Sequence, residues 1–136
     1  MIVVDTNILV SFWLPTTESQ NSEAVFQKDP DWAVPILWQS EFRNVLALYL
    51  RKEVLTPQEG IDIMENAESQ MQYSTYTVYS SDVLRLTHES GCSAYDCEFV
   101  ALARAERIPL ITLDRQILTD FPETAISPAT YLDKTD

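Results

Sequence analysis

Apolar positions along the chain switch between a period of two and a period near 3.6. Residues 1–4 are a short apolar, β-branched run that reads as a buried strand, ended by Asp5-Thr6-Asn7. A short helix to about Leu14, a polar loop over 15–21 and a helix over 22–28 follow. Asp29-Pro30-Asp31 turns the chain into a second strand over 32–34, and Pro35 precedes a long helix over about 37–52. Thr56-Pro57-Gln58-Glu59 predicts a helix start with an N-cap, a proline at the first helical position and a capping box. That helix runs to about Met71, and an alternating third strand covers 75–79. Ser81 is placed to cap a helix over 82–89, Gly91 to break it, and Ser93 to start a helix reaching about Glu106. A fourth strand over 108–113, a short helix after Asp114 and a fifth, edge strand over 125–126 complete the pattern. Strands alternating with helices predict a three-layer α/β/α sandwich with a mostly parallel sheet of four to five strands. The expected organisation is a single domain over residues 1–132, with 133–136 frayed.

Composition narrows the function. The 136 residues suit one domain, and a hydrophobic content of 46% suffices for a core. The net charge is −12, from 9 basic and 21 acidic side chains. Nucleic-acid binders are commonly basic because they replace counterions on phosphates, so this balance speaks against a simple nucleic-acid-binding module. Bound divalent cations, a basic partner, or the plain need for solubility would each accommodate the acidity. Cys92 and Cys97 fit no metal spacing and read as free thiols in a reducing cytoplasm. No signal-peptide core precedes Asp5, and no apolar run approaches the ~18 residues of a membrane span. Two glycines exclude a phosphate-binding loop or a dinucleotide fingerprint. A lone histidine, His88, excludes two-histidine RNA cleavage, and no motif supports a serine triad built on it.

Four acids stand out. Asp5 and Asp114 follow the first and fourth strands, and the carboxyl ends of parallel strands share one edge, where open α/β sheets place their sites. The competing reading of each is the N-cap of the next helix. Glu41 lies early in the long helix; a wheel of about 100° per residue sets it among Leu37, Val45, Leu48 and Tyr49, where it interrupts the apolar face. A charge there needs a partner or a cation, unless it sits at the margin of the face and reaches water. Asp96 follows Ser93 in a capping-box-like start, yet shares its face with Phe99, Val100 and Ala103 in a helix that is apolar nearly all round. Helix N-termini of such units lie at the same edge as the strand carboxyl ends. Simple up-and-down counting puts Asp96 at the wrong edge unless the helix over 82–89 lies across the top, which is the expectation adopted. Crowded carboxylates then need protons or divalent metal ions, and oxygen-only ligands select Mg²⁺ first and Mn²⁺ next. Such ions hydrolyse phosphate esters: one activates a water, and a second ~4 Å away stabilises the leaving oxygen.

In order and spacing the four segments resemble the PIN-domain family, and more narrowly the VapC type of small prokaryotic endoribonuclease. Its pattern is matched by Asp5-Thr6-Asn7, by Glu41 within Trp38-Gln39-Ser40-Glu41-Phe42-Arg43-Asn44-Val45-Leu46, by Tyr95-Asp96-Cys97-Glu98-Phe99-Val100-Ala101-Leu102-Ala103, and by Leu110-Ile111-Thr112-Leu113-Asp114-Arg115. The resemblance implies an acidic quartet of Asp5, Glu41, Asp96 and Asp114. Asp5 and Asp96 would be the main metal ligands, Asp114 would bind a second metal or orient water, and Glu41 would assist. Thr112 would hydrogen-bond to the site, and Thr6 and Asn7 would position Asp5. It also implies RNA as substrate, a cognate antitoxin with a basic segment, and a homodimer. Arg43 and Arg115 follow two of the acids closely and are candidates for phosphate contact, against the plainer reading of surface ion pairs.

Three other classes compete. A haloacid-dehalogenase-type phosphomonoesterase needs a second acid where Asn7 stands, and a receiver domain needs neighbouring acids and a late lysine. A non-catalytic PIN scaffold is opposed by the intact quartet. The aromatic residues Trp13, Trp32, Trp38 and the tyrosines are candidates for a dimer face, with the core as their commoner home.

Overall fold

A computed structural model describes residues 1–135. The chain runs β1 (Ile2–Val4), α1 (Thr6–Trp13), α2 (Ser19–Lys28), β2 (Trp32–Pro35), α3 (Trp38–Arg51), α4 (Pro57–Met71), β3 (Thr75–Tyr76), α5 (Ser80–Glu89), α6 (Ala94–Glu106), β4 (Leu110–Ile111), α7 (Arg115–Asp120), β5 (Ala125–Ile126) and α8 (Pro128–Asp133). The strands form one five-stranded sheet in the order β3-β2-β1-β4-β5, every pair parallel. All of β1, β2 and β4 is buried, as strands covered by helices on both faces must be.

The helices divide into two layers. α1 packs on α2, α3 and α4, while α6 packs across β1, β2 and β4 and carries α5 on its outside. Right-handed crossovers explain the division: the chain steps from β1 to β3 in one direction, then returns to β4 and β5 in the other, so its connections change face. The reversal lies between β1 and β4, and there the carboxyl edge opens into a crevice.

Local chemistry fixes the element ends. Thr56 accepts from the Glu59 amide while Glu59 reaches back to the Thr56 amide, and Pro57 takes the first helical position, as its sequence predicts. Ser93 caps α6 by accepting from the Asp96 amide at 3.1 Å. The α5 start differs from expectation: the helix begins at Ser80 behind Tyr79, so Ser81 lies inside its first turn rather than at the cap. The third and fourth strands are shorter than their apolar runs, because only two residues of each find a ladder partner. The chain leaves β3 and enters α6 at the same edge of the sheet, so α5 with its connections makes no net crossing. That resolves the up-and-down counting, with α5 leaning on α6.

One helix was not expected. Ser127 caps α8 by accepting from the Thr130 amide, with Pro128 behind it, the same signature as Thr56-Pro57. Lys28 Nζ donates to the carbonyls of Tyr131 and Lys134 and sits 4.3 Å over the Tyr131 ring, which ties α8 to α2. Of the segment expected to fray, Asp133 therefore ends a helix, and Asp136 lies outside the described residues.

Aromatic residues build the core. Trp32 and Trp38 are fully enclosed, Phe12 and Phe26 each meet Trp32 edge to face, and Trp13 is half-buried with its indole N–H on Gln70. Trp32 and Trp38 thus belong to the core and not to a dimer face; the exposed aromatic side chains among the described residues are Tyr73, Tyr79 and Tyr95. No described helix is long and apolar enough to cross a membrane.

Candidate active site

Asp5 leaves β1 as the chain turns into α1, and its amide donates to the Ile111 carbonyl of β4 at 2.9 Å. That bond fixes its position across the switch point. Its side chain caps α1 by accepting from the Thr6 amide at 2.7 Å. The other carboxylate oxygen accepts from the Thr112 hydroxyl at 2.7 Å and from Asn7 Nδ2 at 3.3 Å. Asp5 is only 7% exposed and Thr112 is fully buried.

The neighbouring acids are tied to this centre. The Thr6 hydroxyl donates to Glu41 at 2.7 Å, bridging α1 to α3. The Thr112 hydroxyl in turn accepts from the Asp114 amide at 3.0 Å, and Asn7 Oδ1 accepts from the Leu113 amide at 3.2 Å. Asp114 caps α7 with one oxygen on the Ile117 amide. Asp5, Glu41, Asp96 and Asp114 together line one open cleft of about 530 Å³. The capping readings of Asp5, Asp96 and Asp114 are therefore all present in the fold, and they coexist with a shared cleft.

Glu41 does not interrupt the apolar face. The buried stripe of α3 is Trp38, Phe42 and Leu46, and Leu48 is 46% exposed, so Glu41 lies at the margin, half-buried and aimed into the cleft. The wheel placed it between the right residues but did not show which side packs.

Electrostatics follow from the placement. Burial pushes the Asp5 carboxyl up to about 7, and the charges of Glu41 and Asp96 add to the rise, against the Thr112 and Thr6 hydrogen bonds. Burial also raises Glu41, with Asp96 and Glu98 adding their charge and the Thr6 hydroxyl opposing. Asp96 is raised by burial and then by Asp114, against its hydrogen bonds with Ser93. Three acids thus resist ionisation, and a cation would relieve each.

The donor chemistry fits a hydrated divalent ion. Among the described residues no three acids, histidines or cysteines converge on one point that could hold a bare ion. Mg²⁺ does not demand such a cage; it keeps several waters and takes one or two carboxylates, with substrate phosphates completing its shell. Neighbouring pairs of cleft carboxylates supply that.

Other candidates fall outside. Arg43 and Arg115 are exposed and do not line the cleft; Arg43 Nε donates to the Gln39 carbonyl one turn back. Neither makes an ion pair among the described residues. Residues not singled out from the sequence do reach the site. Glu98 adds its charge to Glu41, while Asn44 and the loop residues Thr16, Thr17 and Glu18 line the cleft. Asn44 was legible, since it lies one turn beyond Glu41 on the same face. The loop was not, because its path depends on how α1 packs on α2.

Comparison with known proteins agrees with this fold. A family model described as the PIN domain matches residues 2–124. The Ribonuclease VapC3 of Pyrobaculum aerophilum is 26% identical over 124 residues, spanning 89% of this chain and 95% of that protein. The crystal structure of PAE2754 from Pyrobaculum aerophilum superposes with a TM-score of 0.76 at 20% identity, covering 96% of this chain and 92% of that one. A chain of a toxin–antitoxin complex from Klebsiella pneumoniae superposes with a TM-score of 0.69 at 15% identity, covering 94% and 98%.

Proposed function

Starting from a chain that belongs to the PIN-domain family, we propose that it is a Mg²⁺-dependent endoribonuclease, with Mn²⁺ as substitute, and the toxin of a toxin–antitoxin pair. The observation that carries this reading is Asp5: a nearly enclosed carboxylate, held near neutrality by burial and by Glu41 and Asp96, at the floor of an acid-lined cleft. Such a group is costly for the fold and is of use when a cation arrives. Similarity to a ribonuclease and to a toxin–antitoxin complex supports the substrate class and the partner.

In this reading Asp5 and Asp96 hold the ion and Asp114 contributes its second oxygen, the first being engaged with the Ile117 amide. A bound divalent ion would supply an activated water and a counter-charge for the phosphodiester. Glu41, steadied by Thr6, accepts a proton or orients water, and burial, by raising its carboxyl, makes it a better proton acceptor than an exposed glutamate. Thr112 and Asn7 hold the Asp5 carboxylate still, so that the cation meets a fixed ligand. The antitoxin would lay a basic segment over this cleft, to which a chain of charge −12 offers electrostatic complementarity.

Cleavage of a mixed structured-RNA pool with Mg²⁺, Mn²⁺ or EDTA tests the proposal, comparing wild type with Asp96→Asn. Cleavage that requires both the metal and Asp96 is expected. Cleavage that survives EDTA or Asp96→Asn would refute the metal-carboxylate site, and loss of all metal binding and cleavage in the wild type would leave a scaffold.

A further inference from the structure

The cleft is unusual in what its walls lack. Its charged residues are Asp5, Glu18, Glu41, Asp96 and Asp114, with no lysine, arginine or histidine among them. An RNA strand entering it finds no side-chain cation for its phosphates. Divalent ions can neutralise one scissile group, but they do not choose where along a strand to cut.

Hydrogen-bond donors in the walls are nearly all spent. The Thr6 hydroxyl is on Glu41, and Asn7 is engaged at both ends, by Asp5 and by the Leu113 amide. The Ser11 hydroxyl is held by the Asn7 and Ile8 carbonyls and by Ser22. Thr16 accepts from the Glu18 amide and pairs with Ser19. That leaves the side chains of Asn44 on α3 and Thr17 on the facing loop, neither of which hydrogen-bonds to another described residue. Asn44 is exposed, one helical turn beyond Glu41, and so stands beside the reacting centre.

The geometry points to Asn44 as the side chain that reads an unpaired base next to the scissile phosphate, an inference that rests on the ribonuclease reading above. A carboxamide offers two donors and an acceptor, a pattern that matches a base edge, whereas a phosphate oxygen only accepts. RNA is read in sequence through splayed, unpaired bases whose edges are free. The cleft wall that Asn44 shares offers phosphates no cationic side chain, so a base edge is the part of a nucleotide for which its free amide is suited. Because Asn44 points away from the core, its replacement does not disturb folding, and alanine favours a helix there.

The test maps every cut in a randomised single-stranded RNA pool with Mn²⁺ for wild type, Asn44→Ala, Asn44→Asp and Thr17→Ala. Asn44→Ala is expected to flatten the preference at one position beside the cut, lowering kcat/KM for the preferred base by roughly 5- to 150-fold while cleavage of the others persists. Asn44→Asp, which turns donors into acceptors, should move the preference towards bases that present an amino group. An unchanged cut pattern in Asn44→Ala, or a preference lost only in Thr17→Ala, would overturn the assignment to Asn44 and leave the nuclease reading intact. Absence of metal-dependent cleavage in the wild type itself would overturn both.

Discussion

Asp5 and Asp120 each accept three hydrogen bonds, yet they behave in opposite ways. Asp120, at the end of α7, accepts from the Gly91 amide, Gln116 Nε2 and the Cys92 thiol at the surface corner where α5 turns into α6. Its carboxyl is lowered below the usual range by the Gln116 and Gly91 bonds. Asp5 accepts from Thr6, Thr112 and Asn7 and is nonetheless raised to about 7. The difference lies in what surrounds the donors. Asp120 sits at the surface, where no acidic charge raises it, while Asp5 is enclosed and faces Glu41 and Asp96. Hydrogen bonds alone do not distinguish a working acid from a stitching one; burial among like charges does.

Removing a charge from each region should separate them most sharply. Asp5→Asn should reduce metal-dependent RNA cleavage to background, and Asp120→Asn should leave kcat and KM unchanged with at most a small drop in melting temperature. Equal losses in both would erase the distinction between the two carboxylates. Thr112→Val removes a donor to Asp5 without touching a charge. It should cost about 10- to 100-fold in metal affinity or cleavage, read by metal titration of the rate.

Stability against pH gives a quieter contrast. A carboxyl raised from 3.8 to about 7 is protonated in the fold while the unfolded chain has already ionised. In the metal-free protein its contribution is therefore fully present below pH ~4 and lost as pH rises to ~7, amounting to about 4 kcal/mol as an upper figure. Denaturant midpoints between pH 5 and 8 should fall for wild type and lose that component in Asp5→Asn. The absolute stability of this variant gains less than the removed charge suggests, because its new amide faces the donors Thr112 and Asn7. At the other corner burial and Asp120 push the Cys92 thiol up to about 12, so Cys92 should resist maleimide at pH 8 in the folded protein.

Much of this was readable from residue order, for identifiable reasons. The capping pairs at Thr56, Ser93 and Asp114 act within four residues, and the buried strands are continuous apolar runs, so both survive as local patterns. Asp5 and Asp114 met because parallel strands share an edge. What was not legible is contact made by packing. The side of α3 that faces inward decides whether Glu41 interrupts the core or leans into the cleft, and Leu48 appears apolar on either side. Arg43 follows Glu41 by two positions, which on a helix turns it away from the cleft. The helix at Pro128 carries its own cap signature, Ser127 followed by proline, but lies beyond the last strand, where no alternation of strands and helices calls for it.

The most direct test is calorimetric titration of Mn²⁺ at pH 7 in two buffers of different ionisation enthalpy. If the cleft binds the ion through Asp5, wild type should release about half a proton per ion at pH 7 and much less at pH 8.5, with binding lost in Asp5→Asn. Mn²⁺ bound with equal affinity by wild type and Asp5→Asn, and with no proton released at pH 7, would contradict a metal site built on that buried carboxylate.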